Sequence, residues 1–160
     1  MLNKESVEVV SNSYSGEVVI PETITAGNTF NVISIGFMAF SGCNGLTSVT
    51  IPNSVTNLGK DCFFDCANLT CYEYGNAYYL GNADNPYLCL IKAKSTNITT
   101  CEINENCRFI HCNAFKNCDG LKSVTIPNSV TSIDRSAFAD CSALTSVTIP
   151  NSVTSIGDVT

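Results

Sequence analysis

The eleven residues SVTIPNSVTSI, Ser123–Ile133, return letter for letter as Ser146–Ile156, and a third copy, SVTIPNSVTNL, covers Ser48–Leu58. Around them the same 23-residue spacing recurs. Phe115 and Phe138 keep it, as do Phe40 and Phe63, Leu121 and Leu144, Leu46 and Leu69, Cys118 and Cys141, and Cys43 and Cys66. The unit reads A-F-x-x-C-x-x-L-x-x-V-x-I-P-x-S-V-T-x-I-G. A fixed period between roughly 20 and 30 residues is the signature of a solenoid, in which each repeat forms one rung and contacts only its neighbours.

The letters also predict the local structure of a rung. In LTSVTI, Leu46–Ile51, Val49 and Ile51 are two apart, so both face one side of a strand. Pro52 cannot donate to a ladder and stops that strand. Asn53 and Ser54 turn the chain, and Val55–Leu58 alternates again as a second short strand ending at Gly59. The segments CFFDCANL and AFADCSAL then return to the next rung as tight helical turns, with Phe and Leu inside. Stacking buries what a single rung cannot. The isoleucine position occurs as Ile20, Ile51, Tyr74, Ile103, Ile126 and Ile149, which predicts about six rungs and a stack roughly 25–30 Å long. Two intervals are stretched. One is 31 residues, with its surplus in TITAGNTFNV; the other is 29, with its surplus in an insertion at 75–94.

Composition narrows the function classes. The chain has 160 residues, is 44% hydrophobic and 14% charged, and carries a net charge of −6. That is a core-forming chain for one domain, 1–160. It lacks the clustered cations that a nucleic-acid backbone demands. No apolar run is long enough for a membrane span, and the first residues lack the order of a signal peptide.

Ten cysteines invite a metal or disulfide reading. Cys43, Cys66, Cys118 and Cys141 share one repeat position and are expected to stack as an internal ladder. Cys62, Cys101 and Cys107 replace small core residues, where a free thiol packs as a small hydrophobe. Ladder neighbours roughly 5 Å apart approach disulfide distance, but parallel side-chain vectors strain such a bond, which predicts free thiols. Cys71 and Cys112 are expected to be exposed, and Cys89 has no place in the template. A zinc site at Cys107, His111 and Cys112 has usable spacing. It is set aside because Cys107 should point inward and Cys112 outward, so no metal or other cofactor is expected. Many reduced thiols suit a reducing niche.

Catalysis is not expected either. A Ser-His-Asp or Cys-His arrangement would have to use His111, the single histidine, which aligns with Gly36, Gly59 and Asp134 at a turn read as solvated. Glu73 and Glu102 form the best carboxylate pair, on one face of adjacent rungs, with no pocket implied. No phosphate-binding glycine pattern occurs. What remains is a surface. The outward positions form columns, Ser48, Cys71, Thr100, Ser123 and Ser146 beside Thr50, Glu73, Glu102, Thr125 and Thr148. Extended solenoid faces of this kind recognise partners through many weak contacts. Tyr78 and Tyr79 in the insertion, with Tyr87, are a second candidate patch, the alternative being that they pack over the side of the solenoid. The candidate partner-binding residues are therefore Ser48, Thr50, Glu73, Thr100, Glu102, Thr125, Thr148, Tyr78 and Tyr79.

NAFKNCDGLKSVTIPNSVTSI and SAFADCSALTSVTIPNSVTSIG resemble the BspA-like, or Treponema-type, leucine-rich repeats of bacterial and protozoan surface proteins, and the resemblance runs from about Ser15 to Thr160. It implies a right-handed leucine-rich-repeat solenoid with a parallel sheet on one face, located at the cell surface or secreted. It also implies a non-enzymatic role in adhesion, with a host matrix or cell-surface protein as partner. The alternative is a structural spacer with no dedicated ligand, which near-identical rungs favour. Val7–Val10 and Glu17–Ile20 flank a polar turn and predict an N-terminal capping hairpin over 1–20. The sequence stops mid-repeat at SIGDVT, which predicts an open last rung, a fragment of a longer array, and end-to-end self-association.

Overall fold

Phe109 lies beside Ser132 and Ile110 beside Ile133, and Ser132 and Ile133 lie in turn beside Ser155 and Ile156, all in parallel. Each partner is 23 residues along, so identical letters stack in register and the fold is a β-solenoid. The structure, a computed structural model, describes residues 6–158. The chain divides into two compact units, Met1–Thr70 and Cys71–Thr160.

In the first unit, β1 (Ser6–Val9), β4 (Asn28–Ile35) and β6 (Asn57–Leu58) form one parallel ladder, and β2 (Gly16–Val19) and β5 (Leu46–Thr50) form another. Each rung thus feeds two ladders, as the alternation on either side of Pro52 predicts. The capping hairpin is corrected here. β1 and β2 do not pair with each other; each begins one of the two ladders, so this segment is itself a rung. Residues 1–5 of the expected hairpin lie outside the described residues. The surplus of the first long interval is a true hairpin. β3 (Thr23–Ala26) runs antiparallel to β4 through Gly27 at φ 80°, a conformation in which a side chain is strained. Ile35, Phe40, Leu46, Ile51, Val55 and Phe63 fill the interior.

The second unit repeats the plan. β10 (Thr100–Glu102) pairs with β12 (Ser123–Thr125), and β9 (Cys89–Ala93), β11 (Phe109–Ile110), β13 (Ser132–Ile133) and β14 (Ser155–Ile156) form the longer parallel ladder. β7 (Tyr72–Tyr74) and β8 (Ala77–Leu80) extend that ladder as an antiparallel meander. Among the described residues the longer ladders hold three strands in one unit and four in the other, against the six rungs counted from isoleucines. The insertion does not interrupt the stack. Cys89 and Leu90 lie beside Phe109 and Ile110, so the insertion supplies a rung strand of its own and the unplaced cysteine is buried in it. Tyr74 is corrected as well. Its strand pairs antiparallel with β8, and the ring is exposed where a rung isoleucine would be buried.

The return segments are turns, and among the described residues no helix forms. The backbone shows why. Met38 and Gly42 in one rung, Asp61 and Asp65 in the next, Asn113 and Asn117, and Ser136 and Asp140 all have positive φ. Ala39 N–H donates to Gly36 C=O at 3.2 Å and Cys43 N–H to Phe40 C=O at 3.1 Å, closing two turns of the kind that takes a left-handed third residue. Asn, Asp and Gly tolerate that region best. The N–H groups of Met38, Phe40 and Gly42 instead donate to Lys60, Cys62 and Phe64 C=O on the next rung. A helix would need those donors for itself, so rung-to-rung bonding excludes it. The same contact explains Gly59, where a Cβ would run into the Gly36 carbonyl carbon of the rung beneath.

Candidate functional site

The face expected to meet a partner is best formed in the second unit. Thr100 lies beside Ser123 and Glu102 beside Thr125, and all four side chains are exposed while Cys101 between them is buried. Ser146 and Thr148 are exposed but lie outside any strand. Ser48 and Thr50 belong to the first unit, on β5, where they lie beside Glu17 and Val19 and are half-buried. Of the expected columns, Ser48 and Thr50 thus belong to the first unit and the remaining residues to the second.

Among the described residues no strand ladder joins Glu73 to Glu102, although Asn76 Nδ2 just beyond Glu73 donates to Thr100 C=O at 2.8 Å. Glu73 sits on β7 beside Tyr78 of β8, and its carboxylate pairs with Lys94 Nζ at 2.7 Å. Lys92 and Lys94 both lie over the half-buried Tyr78 ring, at 5.7 and 5.8 Å from its centroid. Such contacts are worth about 0.5–1 kcal/mol each at exposed sites and hold the ring against the meander.

Tyr79 is corrected outright. It is 0% exposed, because β8 turns it inward against Leu90 and Ile103, and Tyr74 and Tyr87 close over it at 6.5 and 5.6 Å between centroids. Its hydroxyl accepts Asn104 N–H at 3.3 Å, and burial pushes its ionisation well above the usual tyrosine range. Tyr79→Phe leaves that backbone donor unpaired in the core, so chemical denaturation should show a loss of about 1–3 kcal/mol. No measurable loss would mean that water replaces the hydroxyl.

None of the ten cysteines is held in a disulfide. The ladder thiols are held by the rung beneath. Cys66 Sγ donates to Phe40 C=O at 2.9 Å and Cys141 Sγ to Phe115 C=O at 3.1 Å, the same bond from the repeat's cysteine to the phenylalanine of the preceding repeat in each unit. Burial pushes the Cys66 and Cys101 thiols up to about 11 and the Cys107 thiol up to about 12. These groups are packing elements and poor nucleophiles.

The turn at His111 departs from expectation. His111 and Cys112 are each only 4% exposed. The turn is covered on both sides: His111 N–H donates to Leu90 C=O on one rung, and Asp134 N–H donates back to Ile110 C=O from the other. Cys112 Sγ lies 3.4 Å from His111 Nδ1, and donor atoms of His111, Cys112 and Asp134 all lie within 4.8 Å of one another. Cys107 is not part of this group; its thiol donates to Phe109 C=O at 3.3 Å. Aligning repeats placed His111 and Asp134 at one template position, and that was the signal for their contact.

The chain matches the BspA type Leucine rich repeat region in six copies, over residues 11–82 and 93–160. No curated protein matches it. Among solved structures it is similar to a leucine rich cell surface protein of Faecalibacterium prausnitzii, with 27% identity over 98% of this chain and 48% of that one, at a TM-score of 0.51. It shares its fold with a leucine-rich repeat protein of T. pallidum, at 22% identity, 98% and 76% coverage, and a TM-score of 0.53. The chain spans about half the length of the Faecalibacterium protein. A 23-residue register seen in the strand pairs and a family match over most of the residues agree, and the chain belongs to the BspA-type leucine-rich repeat family.

Proposed function

We propose that the chain is a non-enzymatic protein-interaction module of a microbial surface protein, and that it meets its partner through the exposed side of β10 and β12. The observation that carries this reading is the register Thr100–Ser123 and Glu102–Thr125, which sets four small or acidic side chains on one flat, exposed face. Such a face suits many shallow polar contacts and offers no enclosure for a reacting group. Support for the location comes from the family and from the Faecalibacterium relative, whose description places that protein at the cell surface. Among the described residues no helix is long and apolar enough to cross a membrane. The partner class we assign is a host matrix or cell-surface protein.

Glu102→Lys tests the face. Against an immobilised panel of matrix and cell-surface proteins, the substitution should weaken binding by about tenfold, since reversing one interfacial charge costs on the order of 1–2 kcal/mol. Glu73→Lys should do less, because Glu73 is already neutralised by Lys94. The rival reading is a spacer, favoured by the identity of Ser123–Ile133 with Ser146–Ile156. Equal binding of wild type and Glu102→Lys, or no binding by either, would decide for it.

A further inference from the structure

We infer that His111, Cys112 and Asp134 form a zinc site that ties two successive rungs of the second unit together. Three observations point there. The donor set is one imidazole nitrogen, one thiol sulfur and one carboxylate oxygen, the combination that borderline Zn²⁺ takes with three protein ligands and a fourth position for water. Cys112 Sγ lies 3.4 Å from His111 Nδ1 and 4.0 Å from Nε2, so thiol and imidazole are already in contact, and a rotation of the ring turns a nitrogen lone pair toward a metal held between them. The carboxylate is also oriented from behind, because Asp134 Oδ1 accepts Arg135 N–H at 2.7 Å, the kind of outer support that fixes a ligand.

The repeat itself singles the site out. The position of His111 and Asp134 is Gly36, Gly59 and Gly157 in other rungs, and the position of Cys112 is Phe37, Lys60 and Arg135. Two departures from the template glycine, His111 and Asp134, thus converge with a cysteine at a variable position, although they come from two turns 23 residues apart. Ordinary rung packing does not need them, since the glycine rungs stack without side chains there. His111 and Cys112 are buried between rungs and Asp134 is half-buried, which leaves an approach from its side. Binding converts the Cys112 thiol to a thiolate and releases its proton to solvent.

The full 160-residue chain, reduced and stripped with a chelator, is titrated with cobalt(II) and then with zinc(II). One equivalent of cobalt should bind with a thiolate-to-metal charge-transfer band, and zinc should displace it. Cys112→Ser should abolish the band. Asp134→Asn, an isostere that keeps the turn, should weaken uptake by about tenfold or more. Cys71→Ser, at a half-exposed thiol far along the sequence, should change nothing. Zinc should also raise the melting temperature of the wild type and of Cys71→Ser but not of Cys112→Ser. No band at one equivalent, a band that survives Cys112→Ser, or one lost in Cys71→Ser would each overturn the assignment. Should Cys112→Ser fail to fold by circular dichroism, Asp134→Asn decides alone: unchanged affinity refutes the site.

Discussion

Phe115→Ala should destabilise the second unit by about 3–5 kcal/mol, read from urea unfolding. Phe115 is fully buried among Leu121, Ile110 and Ile133, and its ring stacks on Phe138 of the next rung with centroids 5.2 Å apart and planes 2° from parallel. The loss combines the transfer of a large side chain with a cavity that neighbouring rungs cannot fill, because rung-to-rung hydrogen bonds such as Phe115 N–H to Ala137 C=O hold their spacing. Since a domain is stable by only about 5–15 kcal/mol, the remaining stability would be small. Phe138 is half-buried, so Phe138→Ala should cost distinctly less. Equal costs, or a loss under about 1 kcal/mol for Phe115→Ala, would show that the aromatic column carries little of the packing. The equivalent pair in the first unit, Phe40 and Phe63, stacks at 5.3 Å and 7°.

Stability should also fall steeply in alkali. Burial raises the Cys107 thiol from 9.0 to about 12 and the Cys101 thiol from 9.0 to about 11. Both hold their protons more tightly in the folded chain than in the unfolded one. The stability this represents is fully present below pH 9 and is lost progressively from pH 9 upward, complete for Cys101 above about 11 and for Cys107 above about 12. At about 1.4 kcal/mol per unit, the two thiols together account for roughly 4–5 kcal/mol lost by pH 11. The repeat supplies the control. Cys101 lies beside Val124, and Cys107 shares the position of Val130. Valine at both places keeps an apolar core without a proton to lose. Cys101→Val with Cys107→Val should therefore retain much of its stability at pH 11, measured by thermal melting across pH 7–11. An identical fall in the double variant would place the alkaline weakness elsewhere.

The repeat spelled out much of this before any coordinates. Identical letters 23 apart had to stack, since only stacking hides their isoleucines and phenylalanines, and the pairs Ile110–Ile133 and Ile133–Ile156 do so. Cys118 and Cys141 were legible as a ladder for the same reason. Failures came where the template lacked a counterpart or said nothing of direction. The return segments read as helical because Phe, Cys and Leu recur at near-helical spacing. Only the cross-rung bonds of Met38, Phe40 and Gly42 reveal that alternate N–H groups point away from their own turn. Tyr79 looked exposed because its stretch falls outside the repeat, and antiparallel pairing of β8 with β9 decided which tyrosine turned inward.

The sequence alone therefore determined periodicity, rung composition and the inward set of the regular rungs, because a one-dimensional stack translates spacing along the chain directly into position along its axis. Only the tertiary structure decided what lies between rungs. His111 reads as a solvated turn on any single repeat, yet the turns on either side bury it beside Cys112 and Asp134. Burial of a turn depends on its neighbours above and below, and that is information no single repeat contains.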